Sequence, residues 1–487
     1  MTFTPSYIPE PFIFTSYCII LLRLLRYILL CGLMSCAGIL LKVSASVPGD
    51  SMDVRIKIKA IHFTGNLITQ PRIMLREMTL RAGDSILNRD LENELNFNRR
   101  RLLNLQLFSS VQYHIHSLDD NTIEVDFTVT ELFYWIPQPI LTLADRNFNV
   151  WWEEHHHRID RTNLGLELTL LNFRGRNERI GGTIQLGYNK YFDLYYKVPY
   201  IDKKLKHGVG FSVTYSTGRE INFATSFNKL TFFHDDEFPY RFYQAEFTYT
   251  YRPAYAFTHE FNLSVNHYGI THEMLAHNPD YFGGRSRVNF LEAKWTTRFN
   301  NTDIRIYPLN GMDARLIIIK KGLGIDTDLN QFSIKSEVAY FKKISKRFSA
   351  SLITRARLSF PQQQPYFLNR ALGFKNDYIR GYEYYVIDGS HFALLRATLR
   401  YRILDWQLKN QHLGILNELP LRIYATCYDD AGYVYNKYPG NSFLNNRWLN
   451  GYGTGLDIVI SYYAKIRIEY SLNHLGQKGL FLHGNKE

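Results

Sequence analysis

Several stretches of this chain alternate residue by residue between apolar and polar side chains, and the length over which they do so constrains the fold more than any other feature. Tyr243, Ala245, Phe247, Tyr249 and Tyr251 fall on one side of an extended segment. Gln244, Glu246, Thr248, Thr250 and Arg252 fall on the other, because successive strand side chains point to opposite faces. The same holds for Phe332, Ile334, Val338 and Tyr340 against Ser333, Lys335 and Glu337, and for Ala350, Leu352, Ala356 and Leu358 against Ser351, Arg355 and Arg357. It holds again for Ile466, Ile468, Tyr470 and Leu472 against Lys465, Arg467, Glu469 and Ser471. Strands of soluble sandwiches run about five or six residues, whereas these run about ten or more, the length of a tilted membrane-spanning strand. In hydrocarbon every backbone N–H and C=O must be paired, and closure removes the unpaired edges. The expected fold is therefore an all-β transmembrane barrel. Runs from Ile140 to His483 number about sixteen or seventeen, and the preference for even counts selects sixteen antiparallel strands.

Composition agrees. Tyr and Phe number 35 and 33 against 6 Trp and 7 Met, yet the mean hydropathy is only −0.25, so apolar residues are abundant but dispersed. No bundle of transmembrane helices is hidden in such a chain. The formal charge of +12 suits anionic lipid head groups or nucleic acid, and an export signal decides between them. Arg23 and Arg26 precede the apolar run Tyr27 to Leu41, and Val43-Ser44-Ala45 supplies small residues before a cleavage point, so residues 1–45 read as a signal peptide. The run is shorter than the roughly 20 apolar residues of a spanning helix. Leu33-Met34-Ser35-Cys36 resembles a lipid-attachment box, but the run continues past Cys36. With Cys18, Cys31 and Cys36 removed, Cys427 remains alone and no internal disulfide can form. These features imply a bacterial outer-membrane protein with no nucleic-acid partner.

Residues 54–131 read as a separate small α/β unit. Val54 to Phe63 is a strand closed by Gly65-Asn66, Thr69 and Pro71 open a helix, and Leu91, Leu95 and Leu102 line one face of a second. Arg99-Arg100-Arg101 in that helix are expected to be partly solvated. Phe108 to Ile115 and Thr122 to Thr130 form a hairpin around Asp119-Asp120-Asn121. Pro137-Gln138-Pro139 reads as a stiff hinge in a linker over 132–139, with the barrel over 140–487. The first barrel strand is expected at about Ile140 to Trp151 and the last at Lys478 to His483. Tyr188, Tyr191, Tyr195, Tyr196 and Tyr200 are placed in an interfacial girdle. Tight connections at Asn189-Lys190, Phe238-Pro239 and Lys343 to Lys346 are assigned to the periplasmic side. Long ones at Thr271 to Ser286, Pro361 to Ser390, Asp405 to Glu418 and Asn436 to Gly451 are assigned to the exterior.

The longest loop carries Tyr378-Ile379-Arg380-Gly381-Tyr382. Gly381 permits a turn that other residues resist, and Arg380 carries a charge that cannot be neutralised. If the loop folds back into the lumen, the guanidinium needs an acceptor there. Asp430 is the expected partner, because it shares a strand face with Arg422 and Thr426 opposite the Leu421, Ile423 and Cys427 stripe.

The first unit, with Phe63-Thr64-Gly65-Asn66, the Gly83-Asp84 turn, Leu105-x-Leu107-Phe108 and the closing Glu131, resembles a POTRA domain. Arg380-Gly381-Tyr382, Gly389, Arg400 and Asp430-Ala431-Gly432 match in order and spacing the barrel of the BamA/TamA (surface antigen) family, which the chain resembles along nearly its whole mature length. The resemblance implies an outer-membrane insertase or translocase. Its POTRA domain would lie in the periplasm and capture unfolded polypeptides along a sheet edge, with lipid, lipopolysaccharide, accessory lipoproteins or periplasmic factors as partners. It also implies that Arg380 is held against acidic residues of the barrel wall. Where the family carries a glutamate on the strand after the loop, this chain has Thr398, which puts the second half of that clamp in question. A passive channel or receptor, and specialised secretion of one client, are the alternatives.

No enzyme, cofactor or metal site is expected. His272-Glu273 and His277 are offset by five where a zinc-protease helix needs four. His155 and His157 share a strand face, but two ligands make no shaped metal site. Gly83-Asp84-Ser85 lacks a hydrolase elbow, and no phosphate-binding loop occurs.

Overall fold

The computed structural model describes residues 54–145, 148–304, 306–324, 329–409, 418–460 and 464–484. The proposed signal peptide, with Cys18, Cys31 and Cys36, lies outside them. The first unit comprises β1 (Arg55–Thr64), α1 (Pro71–Glu77), β2 (Ser85–Leu87), α2 (Asn88–Leu103), β3 (Phe108–Asp119) and β4 (Thr122–Glu131). Its sheet runs β2-β1-β4-β3, with β1 and β4 parallel and the other pairs antiparallel. One face of the sheet buries Ile58, Val125 and Phe127 against Leu95 and Leu102 of α2, as the apolar spacing requires. Arg101 departs from expectation. It is buried, and its guanidinium stacks 3.6 Å from the ring centroid of Tyr255, because a cation–π partner replaces water there.

Beyond the unit come β5 (Trp135–Leu143), α3 (Phe148–Glu153), β6 (Thr162–Phe173), β7 (Glu178–Gly187), β8 (Asn189–Val198), β9 (His207–Gly218) and the hairpin β10 (Glu220–Ser226) and β11 (Lys229–His234). Next are β12 (Tyr240–Tyr251), β13 (Phe257–Ile270), α4 (His272–His277), β14 (Arg287–Asn300), β15 (Gly311–Lys321), β16 (Gln331–Lys343) and β17 (Phe348–Phe360). A two-stranded piece, β18 (Arg370–Leu372) and β19 (Ile387–Asp388), interrupts the long loop. The chain closes with β20 (His391–Lys409), β21 (Glu418–Tyr435), β22 (Trp448–Ile460), β23 (Ala464–Asn473) and β24 (Lys478–His483).

Sixteen of these strands form one antiparallel sheet in sequence order from β5 to β24, with the β10–β11 and β18–β19 hairpins outside it. The two faces are those the alternation predicts. Tyr243, Phe247, Phe261, Leu263 and Leu352 stand exposed on the outside. Inside, Gln244 donates to Asn266 at 2.9 Å, Asn262 donates to Glu246 at 2.9 Å, and Arg298 holds Asp313 through two bonds. This is a transmembrane barrel with a greasy exterior and a polar bore.

Several local expectations fail, each for a physical reason. The first strand begins at Trp135, inside the expected linker, and ends at Leu143, while 148–153 is helical. Pro137 and Pro139 sit in this strand because it is an edge, paired only to β6, where a missing N–H breaks no ladder. Asn189-Lys190 is not a turn but the start of β8. The turn lies at Tyr188, whose hydroxyl donates to Glu220 at 2.6 Å. Tyr188 and Tyr200 are buried in polar contacts and Tyr195 bonds inward to Thr169, so of the expected girdle Tyr196 is on the outer face with Phe211 and Leu194. Loop length sorts the ends imperfectly. Phe238-Pro239 lies at the end of the barrel opposite the first unit, whereas β20 ends at Lys409 and β21 begins at Glu418, within a stretch expected as a long exterior connection, at the end that carries that unit.

That unit is docked on the connections 174–177, 199–206 and 252–256. Gln70 N donates to Gly175 O at 3.0 Å, Arg76 Nε donates to Leu205 O at 2.9 Å, and Arg252 Nη1 lies 2.6 Å from Glu77 Oε1. Burial pushes the Glu77 carboxyl up, but the adjacent Arg252 guanidinium outweighs it and holds the group below the usual carboxylate range.

Candidate functional site

The loop between β17 and β20 folds into the bore, and its backbone lies so close to the wall that side chains must be absent. A Cβ at Gly451 would come within 1.9 Å of the Arg380 carbonyl. Gly381 adopts φ +88°, a conformation that favours glycine, and faces the Leu472 carbonyl. This close approach presses Arg380 into the wall until it is 2 % exposed.

A guanidinium in such a place needs every donor engaged. Arg380 Nε donates to Asp430 Oδ2 at 2.9 Å and Nη2 to Asp430 Oδ1 at 2.5 Å, a bidentate fork matched to a carboxylate. Its backbone N–H adds a third bond to Asp430 at 3.1 Å, and its plane lies 3.8 Å from the Tyr428 ring centroid. The structure thus brings Arg380 and Asp430 together. It also shows what stands where a second glutamate was missing: Nη2 donates to the Thr398 hydroxyl at 3.0 Å, while Nη1 reaches Glu469 Oε1 at 3.2 Å. The second carboxylate comes from β23 instead of β20. Glu469 was legible as a lumen-facing residue from its alternation with Ile468 and Tyr470, but its distance from Arg380 was not.

The latch belongs to a larger polar cluster. Arg396 donates to the Tyr378 carbonyl and lies 3.6 Å from Asp430, Arg467 binds Asp457 at 2.7 Å, and Tyr307 donates to Asp457 at 2.7 Å. Arg400 donates to the Pro308 carbonyl at 2.8 Å, so the connection 301–310 also folds inward. Tyr382 is buried and its hydroxyl meets His474 and the Asn450 carbonyl. His483, in the final strand, lies with Nε2 3.3 Å from Glu469 and 3.7 Å from Glu383 and stacks on Tyr378. The loop therefore grips β20, β21, β23 and β24 at once.

The expected closure of the sheet is not made by backbone pairing. Among the described residues no ladder joins β5 to β24. Ala144 N donates to Arg161 O, so even-numbered residues of β5 face β6 and odd-numbered ones face the open side. Pro137 and Pro139 therefore remove two donors from the free edge. On β24, Asn473 N donates to Gln477 O, which turns the backbone of Lys478, Leu480 and Leu482 to the open side. There Asn149, on α3, donates its side-chain amide to the Leu480 carbonyl at 2.7 Å.

The first unit's motif residues are structural. Gly65 has φ +85° and a Cβ there would lie 2.2 Å from the Val129 carbonyl. Asn66 Nδ2 donates to Thr69 O at 3.0 Å, Asp84 accepts the Arg81 N–H at 2.7 Å beside Gly83 at φ +96°, and Phe108 is core. The histidines set aside earlier have structural partners: His155 lies 3.2 Å from Asp145, and His277 packs on Phe223 and Phe233.

The POTRA family, described as surface antigen variable number repeat, matches residues 56–132. The crystal structure of BamA from Haemophilus ducreyi lacking POTRA domains 1–3 is similar at 13 % identity and a TM-score of 0.54, over 88 % of this chain and 84 % of that one. CdiB from Escherichia coli is similar at 11 % identity and a TM-score of 0.55, over 88 % and 75 %. By sequence no curated protein matches the chain. The chain therefore has a BamA-like fold, one POTRA-type domain joined to a sixteen-stranded barrel.

Proposed function

We propose that this protein is an outer-membrane insertase or translocase: its POTRA-type domain, on the periplasmic side, captures extended polypeptides, and its barrel assembles them into the outer membrane or passes them across it. The observation that carries this reading is the unpaired seam. Every other strand boundary of the sheet is laddered, whereas among the described residues no ladder joins β5 to β24, and their outward backbone groups, the Leu480 carbonyl apart, are ones that an incoming strand can pair with. A seam with few bonds opens at lower cost than any other boundary. The luminal latch complements it by bracing β20 to β23 beside that edge. The step is strand exchange and needs no catalytic group, and the opposite end of the barrel meets lipopolysaccharide.

Depletion of the protein, followed by quantification of the outer-membrane proteome, tests the reading. Loss of a defined set of barrel or secreted proteins is expected, with restoration by the native chain and not by Arg380→Ala. Unchanged levels of all of them, together with a high and stable conductance of the purified barrel, would make the protein a passive channel.

A further inference from the structure

The POTRA-type domain carries an exposed apolar pair that the fold does not use. Leu67 is 91 % exposed and Ile68 54 %. They do not wave free: Ile68 N and Thr69 N donate to the two oxygens of Glu131, Asn66 donates to the Thr69 carbonyl, and Gln70 N donates to Gly175 O. The turn is braced so that these two side chains project at the foot of the barrel.

What surrounds them identifies the partner. Phe133 and Trp135, in the strap that leads into β5, are likewise exposed at 65 % and 50 %. Trp135 pairs with Leu170 in the row that continues through Leu168, Leu166 and Leu164, so it stands on the lipid face. The apolar surface of the pair thus continues that of the membrane belt. Its rim is basic. Arg174 is half exposed and donates to the hydroxyl of Tyr196, a residue of the outer face, and Arg72 is exposed beside it. The nearby carboxylates are engaged inward, Glu131 by backbone amides and Glu178 by Arg174 and Arg176.

We infer that the 65–70 loop is a membrane-seating element. Leu67 and Ile68 enter the headgroup layer of the leaflet at this end of the barrel, and Arg72 and Arg174 bind the phosphates of anionic phospholipid. An amphipathic aromatic and aliphatic edge with basic flanks is what that interface selects. Because it is braced to Glu131 and Gly175, the seat fixes the angle of the domain to the membrane rather than adding affinity to a barrel already inserted. The inference rests on the barrel alone and stands whether or not the protein handles clients.

The test uses the full chain with Cys18, Cys31, Cys36 and Cys427 changed to Ser in vesicles, with an environment-sensitive fluorophore at Leu67→Cys or, as control, at Leu118→Cys near the far end of β3. In vesicles containing phosphatidylglycerol the label at 67 should emit in the blue and be quenched by headgroup-proximal spin-labelled lipid, while the label at 118 emits as in water. Arg72→Gln and Arg174→Gln should each lower the docked occupancy about fivefold at low salt, the effect of one basic residue at an anionic surface. Water-like emission from 67, or equal quenching at 67 and 118, would overturn the seat. Equal quenching at 67 in phosphatidylcholine vesicles, unaffected by the arginine changes, would overturn the anionic-lipid assignment.

Discussion

The two flanks of the sheet are built on opposite plans. On the β20 to β23 flank, neighbouring strands pair over ten or more residues and a buried ionic cluster around Arg380 ties loop to wall. On the seam flank, β24 is six residues long, β5 lacks two donors, and among the described residues a side-chain bond from Asn149 bridges the gap. In a membrane protein a missing ladder is expensive, because hydrocarbon offers no water to unpaired groups. A chain that concentrates that deficiency at one boundary, and braces the neighbouring wall with charge pairs, has made one place compliant by making the adjacent one stiff.

Removing the brace should have the largest effect. Arg380→Ala takes the bidentate fork from the buried Asp430 and leaves it Arg396 at 3.6 Å, while Glu469 keeps Arg467 at 3.6 Å, so the loss should fall at about 3 kcal/mol, the low end for broken buried pairs. The loop should leave the wall, seen as new protease cleavage between Pro361 and Ser390, while the barrel stays in the membrane. Arg380→Lys should recover only part, since an ammonium cannot make the bidentate fork. If Arg380→Ala were cleaved no faster than the native chain, the stiff flank would owe nothing to the latch.

A second contrast lies between the bore and the foot of the barrel. Glu77 is held by Arg252 below the usual carboxylate range. A carboxyl depressed on folding contributes stability above its unfolded pKa of about 4 and loses it as pH falls through the folded value. Docking of the POTRA-type domain should therefore hold at neutral pH and loosen in acid. Glu77→Gln should loosen it at neutral pH by about 2 kcal/mol, less than a fully buried pair because Arg252 keeps some solvent. Cross-linking of residues 76 and 205 across the junction measures both. The seam itself should respond least. Asn149→Ala removes one hydrogen bond, about 1 kcal/mol, and should speed hydrogen exchange in β24 without touching β20.

How far these features were legible follows from what sets them. Strand periodicity is local, so the sixteen strands, the two faces and the inward Asp430 could be read from alternation. Arg380 and its partner could be proposed because burying a charge demands a counter-charge. Register is not local. That Glu469 rather than a residue of β20 completes the clamp depends on how far β23 is offset from the loop, and no pattern in either segment encodes it. Pro137-Gln138-Pro139 misleads for a similar reason: proline excludes an interior strand, and only the neighbours of a strand reveal that it is an edge. The tyrosines at 188, 195 and 200 have the composition of a girdle but the faces of polar anchors.

The central claim is that the compliant seam, not the bore, is the working part. Cysteines at positions 149 and 480, in a Cys427→Ser background, can be joined by a short bifunctional thiol reagent and client assembly followed in vesicles. Assembly should fall to background when the seam is joined and remain near native when the two cysteines are capped singly. Full assembly through a joined seam would contradict the account.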